Sequence, residues 1–131
     1  MAKGIKDVIY NKLSNTANVT AIVGTKIYPF LAIENVVEPY IVFEQTAIEP
    51  TDDKDGVSDL DTILFNVEMY SKTPSELEDL ATKVRAVFDR FSGTVETIVV
   101  QSIQFTGEDG GYADADRVFM KIQQFRARIV K

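Results

Sequence analysis

Five aspartates gather around one glycine in the segment PTDDKDGVSDLD, which runs from Pro50 to Asp61. Such a cluster could coordinate a calcium ion or supply two carboxyl groups for general acid–base catalysis. When Gly56 is aligned with the invariant glycine of a helix–loop–helix calcium site, Thr51 and Thr62 take the first and last positions, which normally carry acids. The flanking segments are also typical of strands rather than helices. The sequence therefore disfavours a specific calcium site.

The same cluster lacks the marks of a catalytic carboxylate pair. A catalytic acid needs a partly apolar setting that raises its pKa, whereas these aspartates stand in a polar run typical of a solvated loop. The chain has no histidine and no cysteine. This removes disulfides, thiol nucleophiles, zinc sites built on those ligands and the commonest general base. These absences disfavour an enzyme without excluding one, because two carboxylates could still catalyse hydrolysis and oxygen ligands could still hold a hard metal. Our prediction is a protein that is not an enzyme and that uses no metal or cofactor.

Charge is unevenly distributed along the sequence. Residues 49–61 carry a net charge of −5 and residues 108–116 a net charge of −4, within a total of −6. Residues 117–131 contain five basic residues and no acid. The protein thus lacks the basic footprint of a general nucleic-acid binder. The sequence instead indicates two acidic loops on a mildly basic body.

Length and hydropathy bound the architecture. With 131 residues, of which 45% are hydrophobic, the chain predicts a single domain over residues 1–131 with one core. No apolar run approaches the roughly 18 residues of a membrane helix. The N-terminus also lacks the unbroken apolar segment of a signal peptide. We expect a protein that is made in a cytoplasm and has no membrane partner.

Hydrophobic periodicity predicts two helices near the N-terminus. Residues 3–15 predict an amphipathic helix, because their apolar positions recur at helical spacing. Val19–Val23 predict a second, short helix that Asn18 caps and Gly24 ends.

A third, longer helix is predicted over residues 74–92. Thr73 and Glu76 have the spacing of a capping box, with a proline at the first helical position. Gly93 stands where a helix-ending glycine is expected. A broad apolar stripe along this segment favours packing across a sheet.

Alternating apolar residues predict the strands. The predicted segments are residues 26–28, 40–45, 62–70, 95–105 and 118–130. In the last of these, Phe119, Phe125 and Ile129 would share one face of the strand. The order of elements predicts an α+β fold with a mainly antiparallel sheet of about four to five strands and two main helices packed on one face. A long acidic hairpin loop would join the second and third predicted strands.

Short motifs in a fixed order point to a known family. VTAIVGTKIYP (Val19–Pro29) is followed by PYIVF (Pro39–Phe43), then by Asp55-Gly56, by the strand end VEMY (Val67–Tyr70) and by a helix over Leu77–Phe91. In this order they resemble the tail-completion, or tail terminator, proteins of long-tailed bacteriophages. The resemblance extends over nearly the whole chain.

That resemblance implies a structural virion protein at the head–tail junction, assembled in the cytoplasm of the bacterial host. Such proteins form a homohexameric ring on the tail tube, end its growth and present a surface to the head–tail connector, while DNA only passes through the lumen. It implies no catalytic residues. Two alternatives remain open: another head–tail adaptor or stopper ring, and, from a different class, a small α+β ligand-binding or regulatory domain.

A ring requires a heterologous interface that closes on itself. We hypothesise that the acidic loops meet basic residues of a neighbouring subunit, or that the Asp52–Asp61 loop lines the lumen. Tyr112, in a polar loop, is typical of an anchor for a partner. The candidate contact residues are the acids Asp52, Asp53, Asp55, Asp59, Asp61, Glu108 and Asp109, the basic residues Arg117, Arg126 and Arg128, and Tyr112.

Overall fold

The computed structural model describes residues 4–32, 34, 36–53, 56–113 and 118–130, with backbone positions alone for residues 50–53, 56–59 and 113. Its helices are α1 (Ile5–Ser14), α2 (Ala17–Val23) and α3 (Pro74–Phe88). Its strands are β1 (Ile27–Pro29), β2 (Tyr40–Asp53), β3 (Gly56–Ser71), β4 (Gly93–Val95), β5 (Ile98–Ala113) and β6 (Val118–Val130). The predicted α+β class is confirmed. None of the helices in the described part of the chain is long and apolar enough to cross a membrane.

The described strands form one sheet in the order β1-β2-β3-β6-β5-β4. β1 runs parallel to β2, and the other neighbouring strands are antiparallel. The mainly antiparallel sheet is therefore confirmed, but it has six strands rather than four to five. The predicted strand over residues 95–105 is in fact a tight hairpin, because Glu96 and Thr97 adopt positive φ angles of 53° and 69° and reverse the chain.

The first two helices follow the predicted pattern closely. α1 buries its apolar stripe, Ile5, Val8, Ile9 and Leu13. α2 begins earlier than predicted, with Thr16 rather than Asn18 at its N-cap. It ends at Gly24, whose φ of 63° is a left-handed conformation that favours glycine.

α3 begins as predicted but ends earlier. Thr73 precedes the helix without a side-chain capping bond, and Glu76 instead accepts a hydrogen bond from the Ser71 hydroxyl at 2.7 Å. The predicted capping box is therefore wrong. The helix stops at Phe88, so the predicted stop at Gly93 is also wrong, since that glycine begins β4.

The sheet curls so that both of its outer edges approach α1. Register shifts within residues 45–47 of β2 and 105–107 of β5 lie on the two sides of the central β3–β6 pair. Bulges of this kind bend a strand and increase its twist. α1 packs against β1 and β2 at one edge. At the other edge the Asn11 side-chain amide donates a 2.9 Å hydrogen bond to the Glu96 carboxylate, in the β4–β5 turn.

The core lies between the helices and one face of the sheet. Its centre is an aromatic cluster in which the rings of Phe65, Phe88 and Phe125 lie 5.2–5.5 Å apart between centroids. All three side chains are fully buried. The opposite face of the sheet carries no helix among the described residues.

Candidate functional site: assembly surfaces

The predicted acidic loop is a projecting two-stranded arm. β2 and β3 pair as far as Asp53 opposite Gly56, whereas β6 stops pairing with β3 at Leu60. The backbone of residues 51–53 and 56–59, here called the acidic arm, therefore extends beyond the last described pair between β3 and β6. In the sequence, residues 51–59 carry a net charge of −3. The prediction of a loop is corrected, because cross-strand pairing overrides the low strand propensity of aspartate.

The candidate acids of the first segment are distributed along this arm and its base. Asp52 and Asp53 belong to β2, and Asp59 belongs to β3. Asp61 lies at the base, opposite Ile129 of β6. Asp55 lies outside the described residues.

The second acidic segment lies at the opposite end of the sheet. Glu108, Asp109 and Tyr112 belong to β5 rather than to a loop, and Tyr112 pairs with Phe119, which is opposite Ser71 at the far end of β3. The side chain of Tyr112 is about half exposed, and its ring lies 4.7 Å from that of Phe119. Glu108 and Asp109 therefore lie on a different part of the sheet from Asp52, Asp53 and Asp59.

Glu108 is engaged by its own chain. Its carboxylate lies 3.4 Å from the Lys121 ammonium and accepts a 2.9 Å hydrogen bond from the Gln123 side chain. Lys121 also pairs with Glu78 of α3. The hydrogen bond to Glu78 raises the pKa of Lys121 above its ordinary value, and Glu108 adds to this against the opposing effect of burial. These contacts fix α3 to the β5–β6 hairpin.

A basic patch lies on the helix-free face of the central strand β6. Arg126 and Arg128 occupy alternate positions and are both exposed. Their cross-strand neighbours in β3 and β5 are Leu64, Thr62, Gln104 and Ser102, none of which is charged. Arg126 accordingly donates a 3.0 Å hydrogen bond to the Gln104 side chain.

Neither arginine of this patch forms an ion pair with a residue of the described ranges. The third candidate arginine, Arg117, lies outside the described residues.

A depression of mixed polar and apolar lining adjoins the basic patch, and no motif in the sequence indicated it. Its volume is about 370 Å³, and the two register shifts flank it. Thr46 and Thr106 lie within those shifts. The Thr46 hydroxyl donates a 3.1 Å hydrogen bond to the Leu64 carbonyl of the neighbouring strand β3. The Thr106 hydroxyl donates a 3.0 Å hydrogen bond to the Gln124 carbonyl of the neighbouring strand β6. This pattern depends on pairing between distant strands, so no local sequence signal could have revealed it.

The other end of the helix-free face holds a tyrosine pair. The rings of Tyr40 and Tyr70 stack with centroids 4.6 Å apart, and the Tyr70 hydroxyl donates a 2.9 Å hydrogen bond to Glu68. Burial, together with the nearby Glu68 carboxylate, raises the pKa of Tyr70 above its ordinary value.

An apolar edge was also missed by sequence reasoning. Phe30 and Leu31 follow β1 and are 63% and 81% exposed. Phe30 has a φ of 65°, unusual for a bulky residue, and its N–H donates a 2.8 Å hydrogen bond to the Phe43 carbonyl. Phe30 lines a depression of about 230 Å³ together with Pro29 and Phe43. A larger groove of about 470 Å³ lies between α1, Pro29 and Glu96. The sequence signal that could have indicated this edge is the lack of any helical or strand periodicity in residues 30–38.

The described residues contain no group of three or more acids that could hold a metal ion. The arrangement offers charged and apolar contact surfaces, and these are suited to assembly.

Comparison with known proteins agrees with this interpretation. The family model described as tail completion protein gp17 matches residues 7–130. The chain belongs to this family. Its membership confirms the family that the motifs predicted and makes the chain a structural protein of a virion tail. That membership also favours a non-enzymatic protein.

The fold of this tail completion family member also occurs in a solved virion. A chain of the virion of a native gene transfer agent (GTA) particle superposes with a TM-score of 0.79 at 16% sequence identity. The match covers 94% of this chain and 92% of that one. No curated protein matches the sequence significantly.

Proposed function

We propose that the chain forms a closed ring that ends the tail tube and joins it to the head connector. The match of the tail completion family over residues 7–130 carries this proposal. It includes every described helix and strand except the first two residues of α1, so the assembly surfaces belong to the matched part. The proposal is also supported by the fold, because a chain with the same fold occurs in the virion of a gene transfer agent.

The ring is a homohexamer in this proposal. A hexamer needs a head-to-tail interface between two different surfaces of one subunit. The subunit offers such surfaces, because the acidic arm and the basic patch lie on different parts of the sheet. The two axial faces of the ring would contact the tail tube and the head connector, and DNA would pass through the lumen without specific contacts.

The test is to add the purified protein to tail tubes during assembly and to measure tube length by negative-stain electron microscopy. Ring formation is measured separately by native mass spectrometry. Six copies of a 14.6 kDa chain predict a particle of about 88 kDa. We expect a uniform tube length, with one ring at the end of each tube.

The alternative of an adaptor or stopper ring has a different outcome. Such a ring would bind the connector and leave tube growth unchanged. Tubes that continue to grow at saturating protein, with no density at their ends, would contradict the proposal.

A further inference from the structure

We propose that the helix-free sheet face of one subunit docks on the same face of a second copy of the chain, through a two-fold axis that passes near Gln124. This contact goes beyond the proposed ring, because a two-fold contact closes after two subunits whereas a ring is joined head to tail. Its basis is the order of apolar, acidic and basic side chains along the central strands, where all the side chains concerned are described.

One end of the helix-free face carries an apolar patch, formed by Tyr40, Tyr70, Met120 and Ile122. Phe125 is core-facing, so Met120 and Ile122, at odd spacings from it along β6, lie on the opposite face. Tyr70 is the cross-strand neighbour of both Tyr40 and Met120. All four side chains of the patch are half-buried. Aromatic residues and methionine are enriched in protein interfaces, so the patch is typical of a surface that contacts another protein.

A carboxylate flanks the apolar patch on each side of Ile122. The cross-strand neighbours of Ile122 are Glu68 on β3 and Asp109 on β5. Asp109 is exposed, and Glu68 is half-buried. Neither forms an ion pair with a residue of the described ranges. Two negative charges therefore stand side by side across β6, one strand away from it in each direction.

The basic patch lies further along the same strand. Arg126 is four residues from Ile122 and Arg128 is six, which corresponds to about 13 and 20 Å at roughly 3.3 Å per residue. Gln124 is exposed and lies midway between Ile122 and Arg126. The face thus changes from apolar and acidic to basic along β6, with Gln124 at the point of change.

Such a face is complementary to itself when the second copy is turned end for end. A two-fold axis that crosses the strands at Gln124 brings Arg126 of each copy over Ile122 of the other. There the guanidinium lies between the carboxylates of Glu68 and Asp109. Guanidinium groups bind carboxylates through charge-assisted hydrogen bonds. Each copy gives one such contact and receives one, as an isologous interface requires.

The same rotation places the second arginine on the apolar patch. Arg128 of each copy comes over Met120 and beside the ring of Tyr70, which is stacked on Tyr40. A guanidinium above a tyrosine ring forms a cation–π contact, and its aliphatic stem covers apolar surface. The two-fold contact therefore uses both arginines of the basic patch and the whole apolar patch.

The size of the face determines how tightly two copies bind. Four strands wide and eight residues long, from Met120 to Arg128, it covers about 500 Å² per copy. Two copies would bury roughly 1,000 Å², against about 1,600 Å² in a standard stable complex. We expect a reversible dimer with a dissociation constant on the order of micromolar. The pair would have to separate before the basic patch could contact anything else.

A second copy fits this face better than nucleic acid does. A phosphate backbone along β6 would meet Arg126 and Arg128 first, but it would then pass between Glu68 and Asp109. The whole chain also has a net charge of −6. A second copy turned end for end instead places a positive charge over each negative pair.

Cross-linking tests the position of the axis, because the chain has no cysteine of its own. A residue on a two-fold axis lies next to its own copy, so Gln124→Cys treated with a short bis-maleimide should give covalent dimers in high yield. The matched control is Thr82→Cys, an exposed position of α3 on the other side of the sheet. We expect little dimer from the control, and equal yields would overturn the two-fold contact.

Charge reversal tests the reciprocal pairing, with sedimentation velocity as the measurement. A dimer of the 14.6 kDa chain has a mass of about 29 kDa. Arg126→Glu with Arg128→Glu, or Glu68→Arg with Asp109→Arg, should raise the dissociation constant at least about tenfold. An equal mixture of the two double variants should dimerise again, because each reversed group then meets an opposite charge. Glu44→Gln, on the same face but opposite no arginine, should not weaken the dimer.

The outcomes separate this contact from the proposed function. Free protein that stays monomeric well above micromolar concentration, or double variants that do not pair when mixed, would overturn the two-fold contact and leave the ring untouched. A monomer that loses DNA binding on arginine reversal would assign the arginines to nucleic acid and would also overturn it. Dimers that behave as expected, from a protein that forms no ring on tail tubes, would support the contact and overturn the proposed function alone.

Discussion

Replacing Gln123 by glutamate tests the interior polar contact that holds α3 on the β5–β6 hairpin. Gln123 is only 1% exposed. Its side-chain nitrogen donates to the Ala81 carbonyl at 2.8 Å and to the Glu108 carboxylate at 2.9 Å. Glutamate has nearly the same shape, but its ionised form cannot donate a hydrogen bond. The substitution therefore places a second carboxylate beside Glu108 and removes both donated bonds.

The expected loss of stability follows from these contacts. The bond to Ala81 contributes about 1 kcal/mol, and the bond to the charged, partly exposed Glu108 about 1.5 kcal/mol. Repulsion between two carboxylates about 4 Å apart adds up to roughly 4 kcal/mol at an effective dielectric constant of 20, part of which protonation relieves. We expect Gln123→Glu to lower the free energy of unfolding by about 3–5 kcal/mol at pH 8. That is a large share of the roughly 7–20 kcal/mol typical of a chain of this length.

Two control variants isolate the cause. Gln123→Met loses the same hydrogen bonds, but it also removes the buried side-chain oxygen of Gln123, which has no hydrogen-bond partner among the described residues. These effects oppose each other, so we expect a change of about 1 kcal/mol or less. Gln124→Glu makes the same chemical change one residue away on the exposed face and should stay within about 0.5 kcal/mol.

The stability loss of Gln123→Glu should depend on pH, in a direction that follows from the pKa of the introduced carboxyl group. Burial and the adjacent Glu108 would raise the pKa of the introduced carboxyl in the folded state. A raised pKa means that the stability of the protonated form is present at low pH and is lost as pH rises through that pKa. Urea unfolding followed by far-UV circular dichroism should show a smaller penalty at pH 5 than at pH 8. Wild-type stability at pH 8, or an equal penalty at both pH values, would refute the reasoning.

Further predictions concern the core and alkaline pH. Phe125→Ala should cost about 3–5 kcal/mol in urea unfolding, because its ring is buried among other phenylalanines; Phe105→Ala, at a partly buried position, should cost clearly less, and equal losses would contradict the cluster. The raised pKa of Lys121 means that its contribution to stability is present below the unfolded value of about 10.4 and is lost above it. The advantage of wild type over Lys121→Met should therefore shrink above that pH, and a constant difference would count against the ion pairs. The raised pKa of Tyr70 means that its neutral hydroxyl contributes stability that is lost above the unfolded value of about 10. Tyr70→Phe has no such group, so it should lose less stability than wild type above about pH 10, as measured by thermal unfolding at several pH values.

The local sequence pattern was enough to predict those elements whose position depends on their own residues. The stripe of α1 and the glycine that ends α2 were read correctly from spacing. In β6 the predicted shared face is confirmed, because Phe119, Phe125 and Ile129 keep one alternation throughout the strand. A period of 3.6 or 2 residues is a property of the local chain, so it is visible without knowledge of any partner.

The end of α3 could not be predicted, because a distant strand decides it. After Phe88 the chain leaves the helix and bonds to β5: the Arg90 N–H donates to the Ile103 carbonyl at 2.8 Å. The Ile103 N–H in turn donates to the Phe91 carbonyl at 3.0 Å. The favourable helical pattern continued to Phe91, but these cross-chain hydrogen bonds override it.

For the candidate contact residues, too, some properties could be predicted from the sequence and others could not. Their charges and approximate positions were visible in the sequence, whereas their surroundings were not. Glu108 was expected in a loop and instead lies on β5, where it bonds to Gln123 and Lys121, while Arg126 and Arg128 are exposed on a central strand. The role of the exposed residues in a ring stays a prediction.

By itself the sequence determined the fold class, the main helices, the faces of the last strand, the family and the imbalance of charge. Each depends on residue type and short-range spacing. Only the tertiary structure decided that the two acidic segments lie at opposite ends of the sheet, that Gln123 is interior and that Arg126 and Arg128 share an open face. Those facts depend on which strands pair and in what register. Pairing is set by contacts between residues far apart in the chain, so residues 50–53 and 56–61, predicted from the sequence to be a loop, are paired strands in the structure.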